Sequence, residues 1–461
     1  MPKQRTAIGY TLLLLATIAA FLLIRAHGET LVAPQAAPAA PAGQAPPAAG
    51  AGDALRQVLI ALVAVVVVGR LLAWLLARLG QPPVIGEVIA GILLGPSLIG
   101  EKASSLVLPA SAAPVLGVIA QLGIILYMFI VGLQLNAGLV RRRAQAVVAT
   151  SHASICLPFV LGALLALHLY PRLSSEDVSF TSFALFLGVA MSITAFPVLA
   201  RILSDRGLSG TELGVLALSC AAIDDVTAWC LLAFVVGVAK ARIGDGLLVA
   251  AWTAAYVAVM LGLARPALRR LSAAHEGERL PQGAVAAIFV ALLLSALATE
   301  LIGIHAIFGA FLLGAVIPHD SAVARAFSAQ LESIVTVLLL PAFFAFTGMR
   351  TRLDLVSGVD QWMLCGLIIV VATLGKFGGT VLAARLTGQG LRDAACLGAL
   401  MNTRGLMELI VVNIGLDLGV ISPTLFSMLV LMALVTTMTA APVLQWLLPE
   451  DLSNKAVPRD S

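Results

Sequence analysis

Two adjacent aspartates, Asp224 and Asp225, sit in the stretch Cys220–Ala233, CAAIDDVTAWCLLA, and are the only charges after Glu212 in the largely apolar run Thr211–Ala239. A carboxylate at mid-membrane depth is expensive, and two side by side are more so. Neighbouring helical residues point about 100° apart, because a turn takes 3.6 residues. Asp224 and Asp225 therefore face different neighbours, and only one looks squarely into a shared cavity. Carboxylates this close resist joint ionisation, and burial further favours the protonated form. Such a group can take a proton from one side and exchange it for a cation on the other. Hard oxygen ligands suit Na⁺, K⁺ or Li⁺, whereas Ca²⁺ normally wants more carboxylates.

A third charge, Lys376, lies mid-segment in VVATLGKFGGT with few polar neighbours. A buried ammonium loses its proton or finds a carboxylate, so it pairs with Asp224 or Asp225. That pair is either a static salt bridge or one that breaks when a cation or proton arrives. Two other apolar segments are interrupted. In MSITAFPVLARIL, Pro197 cannot donate a hydrogen bond, so the Ile193 carbonyl loses its helical partner, and Ser192 and Thr194 supply hydroxyls beside the break. In MNTRGLME, Asn402, Thr403, Arg404 and Glu408 surround Gly405. Pro197 by itself reads as a packing kink; with the second break it reads as a crossing of unwound helices. Such a crossing brings two positive N-terminal and two negative C-terminal helix ends together. Arg404 and Glu408, four residues apart, offset those ends or each other.

Of all residues, 60% are hydrophobic and 11% charged, with a mean hydropathy of +1.03. Soluble domains carry about a quarter charged residues. The composition gives an all-α polytopic membrane protein built of runs of about 20 apolar residues. The formal charge of +4 comes from basic residues scattered at segment ends and does not point to nucleic acid. Cys156, Cys220, Cys230, Cys365 and Cys396 lack metal-ligand spacing and read as packing residues.

The N-terminal residues 1–30 form either a signal peptide or an extra transmembrane helix, followed by a Pro/Ala-rich linker at 31–54. Thirteen segments follow within a transmembrane domain at 55–448: 55–79, 84–100, 112–137, 144–169, 179–203, 210–239, 246–268, 283–302, 304–319, 329–349, 360–386, 392–416 and 422–448. Residues 449–461 form a short tail. Alternating the loops places fourteen basic residues on the side of Arg141, Arg142 and Arg143, among them Arg279, Lys455 and Arg459, against seven opposite, including Arg242. By the positive-inside rule the linker is outside and the C-terminus cytoplasmic. VIGEVIAGILLGP from Val84 matches GIHAIFGAFLLGA from Gly303; MFIVG ending at Gly132 matches FAFTG ending at Gly348; LGVAMSITAF from Leu187 matches LGALMNTRGL from Leu397. One helix (283–302) joins these two five-helix units, so the second enters the membrane from the opposite side. Inverted repeats of this kind mark secondary transporters. Glu300 and His305, flanking a tight connection, read as interfacial, and Glu87 as a helix-end charge or a pathway residue.

SITAFPVLARIL, AAIDDVTAW, GIHAIFGAFLLGAVIP, GKFGGT and MNTRGLMELIVVNIG together resemble monovalent cation:proton antiporters, in the branch with plant and yeast cation/proton exchangers and their bacterial relatives. The likeness covers about residues 55–448. It implies exchange of Na⁺ or K⁺ for protons by alternating access, without enzymatic activity, cofactor or resident metal. It also implies a homodimer in a bacterial inner membrane, with a six-helix core moving against a dimerisation domain. Asp225 is then the principal ion-binding carboxylate and Asp224 its partner. Many relatives carry Asn or Gln at the place of Asp224, and the Asp-Asp form with Lys376 resembles the electrogenic type. Many relatives also append a soluble nucleotide-binding or regulatory domain; the chain stops at Ser461, so no such control is expected. A channel-like potassium efflux system and a same-fold organic anion symporter stand as alternatives. An intramembrane aspartyl protease needs its two aspartates on separate helices, which adjacent positions do not supply. Na⁺ and K⁺ are both open, since selectivity rests on cavity size and oxygen number.

Overall fold

The computed structural model describes residues 2–34, 51–107, 109, 112–134, 144–208, 210–240, 246–274 and 280–448. Most of the expected linker, Arg141–Arg143, Arg242, Arg279 and the tail at 449–461 lie outside the described residues. A backbone in hydrocarbon has only itself to bond with, so spanning segments become helices; no strand occurs among the described residues.

The helices are α1 (Pro2–Gly28), α2 (Ala51–Arg78), α3 (Pro83–Leu94), α4 (Pro96–Val107), α5 (Ala113–Gln134), α6 (Ala144–Leu173), α7 (Phe180–Ser192), α8 (Phe196–Asp205) and α9 (Glu212–Lys240). They continue with α10 (Gly246–Val259), joined by a π-helical turn to α11 (Arg265–Ala274), then α12 (Gln282–Ile302) and α13 (Ala306–Val316). α14 (Ala322–Ile334) runs through a second π-helical turn into α15 (Leu340–Arg350), followed by α16 (Gly358–Leu386), α17 (Leu391–Met401), α18 (Leu406–Asp417) and α19 (Pro423–Leu447).

Among the described residues, eleven spans are long and apolar enough to cross a bilayer, one of them near the N-terminus, and α17 with α18 forms a twelfth, bent by 45°. All thirteen expected segments contain helix; besides the two broken ones, 179–203 and 392–416, two more do not reach across as single helices. α3 and α13 have 12 and 11 residues, about 18 Å at 1.5 Å per residue, against a hydrocarbon core of about 30 Å. Gly95, in an extended conformation ahead of Pro96, stops α3, and the extended Ile317 ahead of Pro318 stops α13. α14 begins seven residues earlier than the segment expected from 329, because the Ser321 side chain accepts the Ala324 N–H at 3.1 Å and caps it.

The helices gather into two groups. α6–α9 and α16–α19 pack around the two breaks, and α2, α3, α5, α13 and α15 pack together beside them. In the second group one contact occurs twice. α5 meets α13 where a Cβ on Gly132 would lie 2.3 Å from the Phe311 oxygen, and one on Gly314 would lie 2.3 Å from the Phe129 oxygen. α3 meets α15 where a Cβ on Gly348 would fall 2.0 Å from the Gly91 carbonyl carbon. The sequence repeat equates α3 with α13 and α5 with α15, so these crossings are images of each other. Small residues let membrane helices approach to backbone contact. Gly132→Val and Gly348→Val should lower thermal stability by about 1–3 kcal/mol or more, read as a fall in the melting temperature of the detergent-solubilised protein. Gly366→Val, at an exposed position with nothing within 4 Å of its Cβ, should leave it unchanged.

Candidate functional site

Both breaks form where the sequence places them. Ile193 and Ala195 adopt extended backbone between α7 and α8, and Pro197 takes the second position of α8, where its missing N–H costs nothing. The second break runs from Asn402 to Gly405, and a side chain at Gly405 would meet Val198 at 2.9 Å. The unwound strands cross and bond to each other: the Ala195 N–H donates to the Thr403 carbonyl at 2.9 Å. Thr194 Oγ1 lies 3.1 Å from the Met401 carbonyl, and Thr403 Oγ1 donates to the Leu400 carbonyl at 2.8 Å.

The last carbonyls of α7 are held by cations. Arg404 donates to the Ala190 and Met191 oxygens at 2.9 and 2.6 Å, and Lys376 Nζ donates to the Ser192 oxygen at 2.5 Å. Both cations are fully buried and both have a carboxylate. Arg404 pairs with Glu408 at 3.1 Å and Lys376 with Asp224 at 2.7 Å. The Arg404 backbone is fixed in turn by the Thr437 hydroxyl, which accepts from its N–H at 3.0 Å and donates to its carbonyl at 2.5 Å.

The two aspartates have different surroundings. Asp224 is enclosed by Lys376, Thr194 Oγ1 at 2.9 Å from Oδ2, Ser154 Oγ at 3.0 Å from Oδ2, and the Ser151 hydroxyl on Oδ1. Asp225, only 4% exposed, accepts the Phe196 N–H at the start of α8, while its Oδ1 has no donor among the described residues. The space beside it is bounded by Ile193, Ala228, Trp229, Met407 and Val411 and is too tight for a water molecule. Five ionisable side chains are therefore buried together: Asp224, Asp225 and Glu408 against Lys376 and Arg404. Counted in their ionic forms, three carboxylates minus two cations leaves one negative charge, and among the described residues Asp225 is the carboxylate without a salt-bridge partner.

Other expected residues fall differently. The Ser192 hydroxyl turns to the Ile155 and Gly188 carbonyls, and only its own carbonyl serves the site. Asn402 is buried with Oδ1 lacking a donor, and no hydrogen bond joins it to either aspartate. Glu87 lies against α2 beside Gly69. Glu300 accepts the Ala306 N–H at 2.8 Å, and with His305, Asn413 and Asp417 it borders a cavity of about 320 Å³ between α18 and the second helix group. The five cysteines are unbonded, and no cluster of three metal-ligating side chains occurs among the described residues. Ser151, Ser154 and Thr437 did not stand out in the sequence. Their trace is a pair of hydroxyls three residues apart in SHAS, the spacing that shares one helix face.

Two outcomes follow for this shell. Ser151 and Ser154 supply two of the three hydroxyls on Asp224, so the Ser151→Ala/Ser154→Ala double variant should lower the rate of ion flux in proteoliposomes while leaving the protein folded. Arg404→Gln strands Glu408 and two carbonyls, which should destabilise the fold by about 3–5 kcal/mol in a thermal-unfolding assay.

Residues 57–449 match the family described as sodium/hydrogen exchanger, transmembrane. The Na(+)/H(+) antiporter NhaS4 of Synechocystis is 42% identical over 403 residues, covering 86% of this chain and 98% of that protein. Cation/H(+) antiporter 18 of Arabidopsis thaliana is 40% identical, covering 85% of this chain and 49% of its own length. K(+)/H(+) antiporter 1 of Saccharomyces cerevisiae is 32% identical, with 80% and 44% covered. The chain thus spans about half the length of these plant and yeast relatives. The fold is similar to that of the sodium proton antiporter MjNhaP1 from Methanocaldococcus jannaschii at pH 8, with a TM-score of 0.63 at 15% identity, over 88% of this chain and 100% of that one. With the family match and NhaS4 each covering most of its length, this integral membrane protein belongs to the transmembrane sodium/hydrogen exchangers, a family of transporters.

Proposed function

We propose that the chain exchanges a monovalent cation, Na⁺ or K⁺, for protons by alternating access, with Asp225 as the exchanging carboxylate. The observation that carries this reading is the surplus carboxylate: Asp225 is buried and, among the described residues, has an oxygen without a donor and no salt-bridge partner. A bare buried charge is strongly unfavourable. A proton or a dehydrated cation on Asp225 removes that penalty, so the site crosses between states only when loaded. Obligatory loading by one of two competing ions is exchange, and each ion shifts the population toward the state that binds it better.

The other groups have supporting roles. Lys376 and three hydroxyls hold Asp224 beside the exchanging group, and Lys376 is the internal cation that competes for the aspartates. Thr194 and the broken segments around Pro197 and Asn402–Gly405 shape the site, while Arg404 and Glu408 close the exposed helix ends. Asn402, Thr403 and the Ser192 carbonyl line the crossing. The cavity at Glu300, His305 and Asp417 offers ions an approach along α18. The reading needs no cofactor. It places the transport domain at 55–448 as a homodimer in a bacterial inner membrane, with the tail at 449–461 cytoplasmic. The names of the relatives span Na⁺ and K⁺ and so agree with exchange in either ionic form.

In proteoliposomes with an imposed pH gradient, addition of Na⁺, K⁺ or Li⁺ should dissipate the gradient reported by an entrapped dye. Asp225→Asn should abolish that response for every cation. A response that survives the substitution overturns the assignment, and cation flux without proton movement favours a channel.

A further inference from the structure

The N-terminal helix α1 lies outside the residues matched by the family, which begin at 57. It is nonetheless docked on the first helix group, along α6 and the start of α7. The contact is a stripe at helical spacing. The Tyr10 ring meets His152 edge-on at 5.3 Å, and Phe21 meets Phe159 at 5.6 Å. Thr17 lies within hydrogen-bonding reach of the Cys156 thiol. Ile24 is buried, and Phe180 packs so closely on Gly28 that a Cβ there would lie 2.0 Å from the ring. Beyond the helix, Glu29 pairs with Arg25 at 2.7 Å and accepts the Thr181 hydroxyl at 3.0 Å. The opposite face, with Leu12, Leu15, Ile18, Leu22 and Leu23, is exposed and apolar, as a bilayer-facing surface should be.

A leader removed after insertion has no need of such complementarity. His152 sits between Ser151 and Ser154, two of the three hydroxyls on Asp224, so the stripe backs the stretch of α6 that holds this carboxylate. We propose that α1 is a resident transmembrane helix that rides with the first helix group and acts as a positioning element, holding α6 so that its serines stay on Asp224. The positioning role rests on the exchange reading, whereas residence does not.

Three measurements test this. Intact-mass spectrometry of the purified membrane protein should give a chain that retains α1; a mature chain starting after Gly28 overturns the proposal. Thr17→Cys should cross-link oxidatively to the native Cys156, so that after cleavage at a protease site inserted among residues 35–50 the α1 fragment stays attached on a non-reducing gel. Failure to cross-link removes the docking, and a cross-linked protein that loses ion exchange shows that α1 does not travel with α6. Neither mass nor cross-link depends on ion flux, so both stand even where the exchange reading fails. For positioning, Tyr10→Ala should lower the rate of ion flux as removal of the serines does, and Tyr10→Phe, which keeps the ring on His152, should restore the native rate. An unchanged flux rate in Tyr10→Ala, with normal protein level, overturns the positioning role.

Discussion

Breaking two helices inside a bilayer strands backbone groups where no water can serve them, and the centre of this molecule is organised by that constraint. The two unwound strands satisfy part of the need by bonding across the crossing, from Ala195 to Thr403. The remaining carbonyls of α7 are met by a guanidinium and an ammonium. Cations at that depth demand counter-ions in their turn. Glu408 and Asp224 provide them, so the ion pairs are consequences of the broken backbone. What is left over is one carboxylate.

The two ends are not treated alike, although the repeat makes them equivalent. The end of α7 receives both cations, while that of α17 is closed by the hydroxyls of Thr194 and Thr403. Positive charge is therefore concentrated on one side of the crossing, and Asp224 is drawn to it. Asp225, rotated about a third of a turn away on the unbroken α9, faces the start of α8 instead, where a backbone N–H is its donor. One helix thus delivers adjacent carboxylates to different electrostatic surroundings, a full cation for Asp224 and a helix N-terminus for Asp225, without any change in its own geometry.

Most of this centre was legible in the residues. The charges Asp224, Asp225, Lys376, Arg404 and Glu408 stand out because the other charges of their segments, Glu212, Asp360, Arg385, Arg392 and Asp393, lie at the segment ends, and Pro197 and Gly405 mark the breaks. That Lys376 chooses Asp224 was not legible, since sequence gives the angle between adjacent side chains but not which neighbour lies at each angle. Ser151 and Ser154 were hidden for a related reason: a hydroxyl in a spanning helix usually bonds its own backbone, as Thr380 does to Lys376. The lengths of α3 and α13 were overestimated because apolar composition runs past Gly95–Pro96 and Ile317–Pro318, while the backbone stops there. The shared glycine crossings explain why those short helices are kept. Backbone contact at Gly91–Gly348 and Gly132–Gly314 needs small residues more than it needs length.

The same contacts bear on how a closed site is reached. In the second helix group, backbone meets backbone at both crossings, leaving little freedom for side chains to adjust. The boundary along α18 is built differently. Met407 and Val411 close the space at Asp225, while Ile410 and Ile414 face the cavity at the group boundary. Apolar side chains from a single helix separate the buried carboxylate from open volume, and polar contacts cross the same boundary at one end: Asn413 donates to Thr347 Oγ1 at 2.9 Å, and Arg350 donates to Asn413 Oδ1 at 3.1 Å and pairs with Asp417 at 2.5 Å. A shift of the first helix group against the second thus requires apolar repacking at this seam and the exchange of the Asn413 and Asp417 contacts with α15. Such a shift would carry Asp224, Lys376 and Arg404 together, since their mutual bonds lie within the moving group. Under the exchange reading, the rigid polar centre and the apolar seam are complementary requirements. The first keeps the charge count fixed, and the second lets the one unpaired carboxylate change the side it faces.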